Sequence, residues 1–544
     1  MAQWNSYTVN RRDILKTGVS LAGLGLLGGI PQVVTAAMAP PRPDLASPAG
    51  QQMLAIYKAA VAAMKSPSIN NPPQPHSWTF QAYIHALPVN PKDPNSPGYP
   101  NGSAAFKKKI DQIYGPNPTG PAKAWKEAAL ACWSTCPHSS NHFLPWHRWY
   151  MFYFEQAIRT ISSQPGFSLP YWNYASNENS SLQLPVAFTA STSPLYEAIR
   201  GLGWTDPVKL SSQTKPMNQG GYLGFKFVDY TPSLGATPLF PADASTTIFP
   251  PDPNWVKYGY SGRTETQPHD NVHDGVGGLM GNVPTAAADP IFYMHHSQID
   301  RLWASWQSYG GSTNNFAPDG QGTQDQPSMA DWQAMKFSFV DGTGTLVTVG
   351  PTQALDYQAL GYSYDQLAPQ PAHPAAAMLV AEAASNAQAA PLASEAGVKV
   401  GAAGLNLKLG SAAKEGGVTA LEEGPAPGHL ALTNVSLLKH PPAPLHVFVN
   451  LPAKGPTDLA SPYYAGTINL FGLAMMGEDA EASETGHHMR HDKTIVFDIA
   501  SILDQQRKQG LWKGGQITVS ILMAGGKGAA DDTYLNLGTV ELRP

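Results

Sequence analysis

A chain of 544 residues is more than one compact core accommodates and points to about two to four domains. Apolar residues at 42% and charged residues at 13% fit a globular protein with a low-charge surface, and a formal net charge of −5 argues against nucleic acid or an anionic membrane as partner. Two cysteines, Cys132 and Cys136, exclude a disulfide framework, while 51 Gly and 50 Pro predict long loops, where sites tend to be built on a rigid scaffold.

Residues 1–39 read as an address. Asn10-Arg11-Arg12-Asp13-Ile14-Leu15-Lys16 precedes a mostly apolar run from Val19 to Val34, and Ala37-Met38-Ala39 offers a small-residue cleavage site. Paired arginines ahead of such a run resemble a twin-arginine export signal; a plain secretory signal or an anchor is the competing reading. The run is interrupted by Gly and Pro and is short for a spanning helix. The expected location is periplasmic or secreted, with no stable membrane insertion after signal removal.

Residues 40–368 are dense in Trp, Tyr and Phe. Helices are expected at Trp78–His85, at Trp146–Ile161, where Tyr150, Phe154, Ala157 and Ile158 share a face, and at Pro290–Ser308, where Ile299, Leu302, Trp303 and Trp306 do. Residues 369–428 turn to Ala, Pro and Gly and read as a linker. Alternation then returns in 446–451, 494–499 and 516–522, which predicts an all-β domain over 429–544.

Of the 16 histidines, dense groups sit at 138–147, 269–296 and 487–491. His269 and His273, four apart, share a helix face and can converge on one metal. No Glu follows either at the zinc-protease position. His296 lies four before Asp300, a carboxylate expected to hold its second nitrogen directly or through neighbours. Three neutral imidazoles there suit copper or zinc with one position open. His138, in a loop, and His147, at a helix start prepared by Pro145, combine with His85 into a second three-histidine site.

The stretches His138 to Glu155, with Phe143-Leu144-Pro145-Trp146-His147-Arg148, and Asp289 to Asp300, with Asp289-Pro290-Ile291-Phe292-Tyr293, resemble the two copper signatures of the type 3 copper family of tyrosinases, catechol oxidases and haemocyanins. The resemblance implies a mainly α catalytic domain, an antiparallel four-helix bundle around a dicopper centre with long loops, followed by a C-terminal all-β sandwich-like domain. It assigns His85, His138 and His147 to one copper and His269, His273 and His296 to the other. His295, His142 and His76 become non-ligands. Leu360-Gly361-Tyr362-Ser363-Tyr364-Asp365 resembles the tyrosine motif that closes the plant catalytic domain, with Arg42 as its expected partner. The strands from Val447 resemble the plant C-terminal domain, which covers the active site and keeps the enzyme latent.

The implied activity is oxidation of o-diphenols to o-quinones with O2 as co-substrate. Small phenols are the expected substrates, and a copper chaperone is a candidate partner. Glu265 stands where plant enzymes carry a water-holding Glu. Asp270 replaces an Asn common in monophenolases and is read as a base or as a surface charge. Val283 is the expected gate over the second copper and leaves the pocket open to bulky phenols. The two clues conflict, since Asp270 speaks against efficient hydroxylation whereas Val283 lacks the Phe that some catechol oxidases carry there; the reading leans to diphenol oxidation, and a full tyrosinase, an O2 carrier and a dinuclear zinc hydrolase are the alternatives. Cys136, two before His138, resembles the fungal cysteine that forms a thioether to its histidine; a Cys132–Cys136 disulfide and free thiols compete. Phe471 is the candidate lid, and Met475, Met476, His487 and His488 are candidates for passing copper inward.

Overall fold

The computed structural model describes residues 40–138, 142–174, 183–200, 264–308, 328–369, 391–410, 427–439, 441, 445–457, 461–468, 470, 471, 473, 493–523 and 531–543. The expected signal and the Met475, Met476, His487 and His488 cluster lie outside them. No described helix is long and apolar enough to cross a membrane.

Helix α1 (Pro48–Met64) starts where the Ser47 hydroxyl accepts from the Gly50 amide, with Pro48 in the first turn, where a missing N–H costs nothing. Helix α2 (Trp78–His85) is entered the same way, Ser77 accepting from the Phe80 amide. Helix α3 (Phe143–Ser162) carries Pro145 in its first turn and ends at Ser163, whose left-handed φ of 54° closes the last turn. A π-helical turn (Glu265–Asp270) runs into α4 (Asn271–Val276). Helix α5 (Val283–Ala286) is short, and α6 (Ile291–Ser308) is almost wholly buried.

Both α1 and α6 pack on α3. Phe154 of α3 and Tyr293 of α6 stack with ring centres 3.5 Å apart, and Tyr57 of α1 donates to the Pro290 carbonyl at 2.8 Å. Arg42 is fully buried beside this junction. It meets Glu155 at 2.9 Å, Asp300 at 3.1 Å and the Tyr364 hydroxyl at 3.2 Å. Asp300 also accepts from Arg148 at 2.5 Å, from Tyr362 at 2.6 Å and from Tyr364 at 2.5 Å. Main-chain bonds join Arg42 to Ser363 and Asp365, so the first and last segments of the helical unit meet on the two helices that carry His147 and His296.

The described residues of the C-terminal part form eight strands: β1 (Ala393–Gly401), β2 (Leu405–Leu409), β3 (His429–Leu437), β4 (Leu445–Val449), β5 (Tyr464–Thr467), β6 (Lys493–Asp498), β7 (Ile517–Met523) and β8 (Thr533–Arg543). They form two four-stranded antiparallel sheets, ordered β6-β3-β8-β1 and β2-β7-β4-β5. Val400, Leu432, Val447, Ile521 and Leu537 from both sheets share one core. The stretch read as a linker, 369–428, thus supplies β1 and β2. Both are edge strands, and in β1 just Val398 and Val400 are buried, so the apolar alternation that marks an inner strand is missing.

The two parts meet near Phe471. Its ring is buried in the helical core rather than the β core, and the neighbouring Leu470 amide donates to the Asp274 carboxylate at 3.1 Å.

Candidate metal centre

His85 ends α2. Its Nδ1 lies 2.9 Å from the Val283 carbonyl, and its buried Nε2 has no hydrogen-bond partner. His147 Nδ1 lies 2.8 Å from the Phe143 carbonyl one turn back on α3. The His138 ring stands 5.2 Å from that of His85 and 5.7 Å from that of His147. Cys136 Sγ is 3.3 Å from His147 Nε2 and 3.5 and 3.9 Å from the two ring nitrogens of His138. One donor atom from each of these four residues falls within 4.8 Å of the others.

The second group contains His269, His273, His295 and His296, again with donor atoms within 4.8 Å. Pro268 sits inside the π turn and has no N–H to donate, so the α-helical ladder cannot run through it. The wider turn and α4 place the His269 and His273 rings 4.5 Å apart. His273 Nδ1 lies 2.8 Å from the Met280 carbonyl. That carbonyl is delivered by a turn through Gly278, at φ 58°, where a Cβ would sit 2.4 Å from the Ile199 oxygen. His269 Nδ1 lies 2.9 Å from Asp270 Oδ1 and 3.2 Å from the Glu265 carbonyl. His296 comes from α6 and brings its Nε2 to 3.4 Å from that of His273. The groups adjoin: the His147 and His296 rings stack 4.3 Å apart at 9°.

This donor set fits a pair of metal ions. Burial pushes the His85 imidazole down to about 3. Burial first, then neighbouring imidazoles, holds His147, His273 and His296 well below the ordinary histidine value. Each is neutral, the form that ligates. With Nδ1–H donated to a carbonyl, the Nε2 lone pair of His85, His147 and His273 faces inward. Metal–nitrogen bonds of about 2.0–2.1 Å at a tetrahedral centre separate two nitrogens by roughly 3.3 Å, which matches the His273–His296 spacing.

The other expected residues fall as follows. Glu265 and Asp270 are buried, so Asp270 is no surface charge. Val283 is buried, and its carbonyl orients His85. Asp300 does not reach His296. It turns into the Arg42, Arg148, Tyr362 and Tyr364 cluster, so a direct bond to that histidine is not what its carboxylate makes. Cys132 and Cys136 are not joined to each other. His76 and His142 lie against the Asp341 and Trp332 carbonyls, outside both groups. Phe471 stacks on His273 at 3.9 Å and 18° and stands 5.5 and 5.4 Å from His138 and His269. Sequence reasoning missed the closeness of His295, whose Nδ1 meets the Tyr174 hydroxyl at 3.0 Å, and the Asp274–Leu470 contact.

Residues 75–309 match the family described as the common central domain of tyrosinase, and residues 379–542 match a domain of unknown function. A tyrosinase of Hahella sp. is 26% identical over 90% of this chain and 96% of its own length. Residues 75–309 carry a type 3 copper domain of the tyrosinase and catechol oxidase family. The chloroplastic polyphenol oxidase II of Ipomoea batatas is 31% identical, over 42% of this chain and 39% of that protein. The chain therefore aligns with under half the length of that plant relative. Solved structures share the fold: a latent aurone synthase (TM-score 0.53, 18% identity, 94% of this chain and 90% of that one) and a latent apple tyrosinase (TM-score 0.50, 18% identity, 94% and 98%). Membership makes this protein a copper-dependent oxidoreductase with two copper ions and O2 as co-substrate.

Proposed function

We propose that this type 3 copper protein oxidises o-diphenols to o-quinones. The observation that carries the reading is the pair of adjoining, buried, neutral imidazole groups. His85, His138 and His147 would hold one copper and His269, His273 and His296 the other. When bound, the copper pair supplies redox chemistry: two o-diphenols and one O2 give two o-quinones and two waters. The chain's own part is positioning. Backbone carbonyls of Val283, Phe143 and Met280 fix three imidazoles, and burial keeps them unprotonated and excludes bulk water. Supporting a diphenol preference, Asp270 stands where monophenolases often carry Asn and spends an oxygen on His269. Val283 keeps its proposed role as gate and Glu265 as the holder of a water. A full tyrosinase is the second reading. Oxygen uptake with catechol, tyrosol and o-aminophenol side by side tests it: rapid uptake with catechol alone is expected, equal rates with tyrosol favour the tyrosinase, and O2 binding without any quinone leaves a carrier.

The finer structure of the proposal has its own support. The packing of α1 and α6 on α3, with the turn at Glu265–Asp270 also against α6, supports a four-helix bundle around the coppers. We place the catalytic unit at 40–368 and extend the β domain upstream to about 391, with a linker between. Phe471 over His273 supports a lid, as does the latent state named for both structural relatives. Cys136 Sγ, near both nitrogens of His138, supports a thioether. Export by the twin-arginine route and copper delivery by a chaperone complete the reading.

A further inference from the structure

We propose that Asp270 acts through His269, as a positioning residue that sets how tightly the second copper is held. The inference rests on the dicopper reading above. The Nδ1 of His85, His147 and His273 each faces a neutral backbone carbonyl at 2.8–2.9 Å. His269 Nδ1 also has a carbonyl within reach, that of Glu265 at 3.2 Å, but its nearer contact is a carboxylate oxygen at 2.9 Å, both side chains being buried. A carboxylate behind an imidazole draws its N–H, raises the electron density at the opposite nitrogen and strengthens it as a donor. In a water-poor site that negative charge also favours the more highly charged metal state. The bland reading is an acid placed for the dipole of α4, which it precedes. Its side chain, however, makes no cap hydrogen bond to that helix.

The consequence is an asymmetric pair. The copper held by His269 should bind more tightly as Cu(II) than the same site with a neutral partner, and its potential should be lower. Asp270→Asn separates charge from geometry, because the amide oxygen can still accept from Nδ1–H. Asp270→Ala removes both the charge and the side-chain acceptor and leaves the Glu265 carbonyl at 3.2 Å. Asp274→Asn is the control: equally close to a candidate ligand in sequence, its carboxylate receives the Leu470 amide.

Copper-loaded full-length protein and the variants are titrated with a chelator of known copper affinity, and the copper retained per chain is counted. Wild type should hold two. D270N should release one of them at roughly 10–100-fold lower chelator strength, with a raised midpoint potential and an unchanged unfolding temperature of the metal-free protein. D274N should release copper as wild type does. If D270N keeps both ions with wild-type affinity and potential, or if D274N weakens them equally, the inference is overturned. Asp270→Ser serves in the same comparison should D270N not fold. A wild-type chain that never holds two coppers overturns the dicopper reading itself.

Discussion

His85 and His76 show how a single residue is chosen. Both are histidines flanking one short helix, and sequence spacing separates them weakly. The structure gives His76 an ordinary contact with the Asp341 carbonyl and leaves His85 Nε2 buried with no hydrogen-bond partner. His85→Ala should lose one of two coppers and nearly all oxidase activity, whereas His76→Ala should retain both, read by metal content and oxygen uptake. Asp300 shows the reverse lesson. Its spacing from His296 suggested a partnership, but Arg42 and Arg148, distant in sequence, claim both carboxylate oxygens. Spacing along one helix reports which residues share a face and says nothing of cations arriving from elsewhere.

A second residue carries a pH signature. His446 is buried in the β domain with Nδ1 at 2.7 Å from Thr467 Oγ1, and burial pushes its imidazole down to about 4. The unfolded chain takes up a proton near pH 6.5, the folded chain near 4. Stability is therefore fully present above about 6.5 and falls as pH drops toward 4, by about 3 kcal/mol. Unfolding measured from pH 7 to 4 should show this slope, and His446→Gln should flatten it.

At the level of elements, the Arg42 cluster is the most exacting contact. Burial alone would push the Asp300 carboxyl up, but Arg148 and Arg42, with the two tyrosine hydroxyls, hold it below the usual range. Arg42→Met leaves Glu155 and Asp300 buried without that cation and should cost about 3–5 kcal/mol, seen as a fall in the unfolding midpoint. Much of this architecture was legible beforehand. The helices carrying His147 and His296 and strands β4, β6 and β7 carry periodic signals, and the tyrosine motif with its arginine followed from the family resemblance. What escaped was low in contrast. Strand β1, Ala393–Gly401, is an edge with small residues facing outward, so composition disguises it as linker. The π turn at Glu265–Asp270 depends on a proline inside a helical pattern, which marks a break but not its kind.

At the scale of the molecule, among the described residues Phe471 of the C-terminal part lies against His138, His269 and His273. Phe471→Ala should raise oxidation of bulky phenols several-fold if that ring is a lid, at some loss of stability from the emptied contact; unchanged rates in a stable, copper-loaded variant would count against the lid. The Arg42 junction bears on what happens when the lid is removed altogether. Because residue 42 is bonded through its main chain to 363 and 365, the catalytic unit behaves as a drawstring already tied. A proteolytic nick beyond residue 369 would fall outside that knot, so if the β domain is a cover, its removal should leave the 42–363–365 tie unbroken.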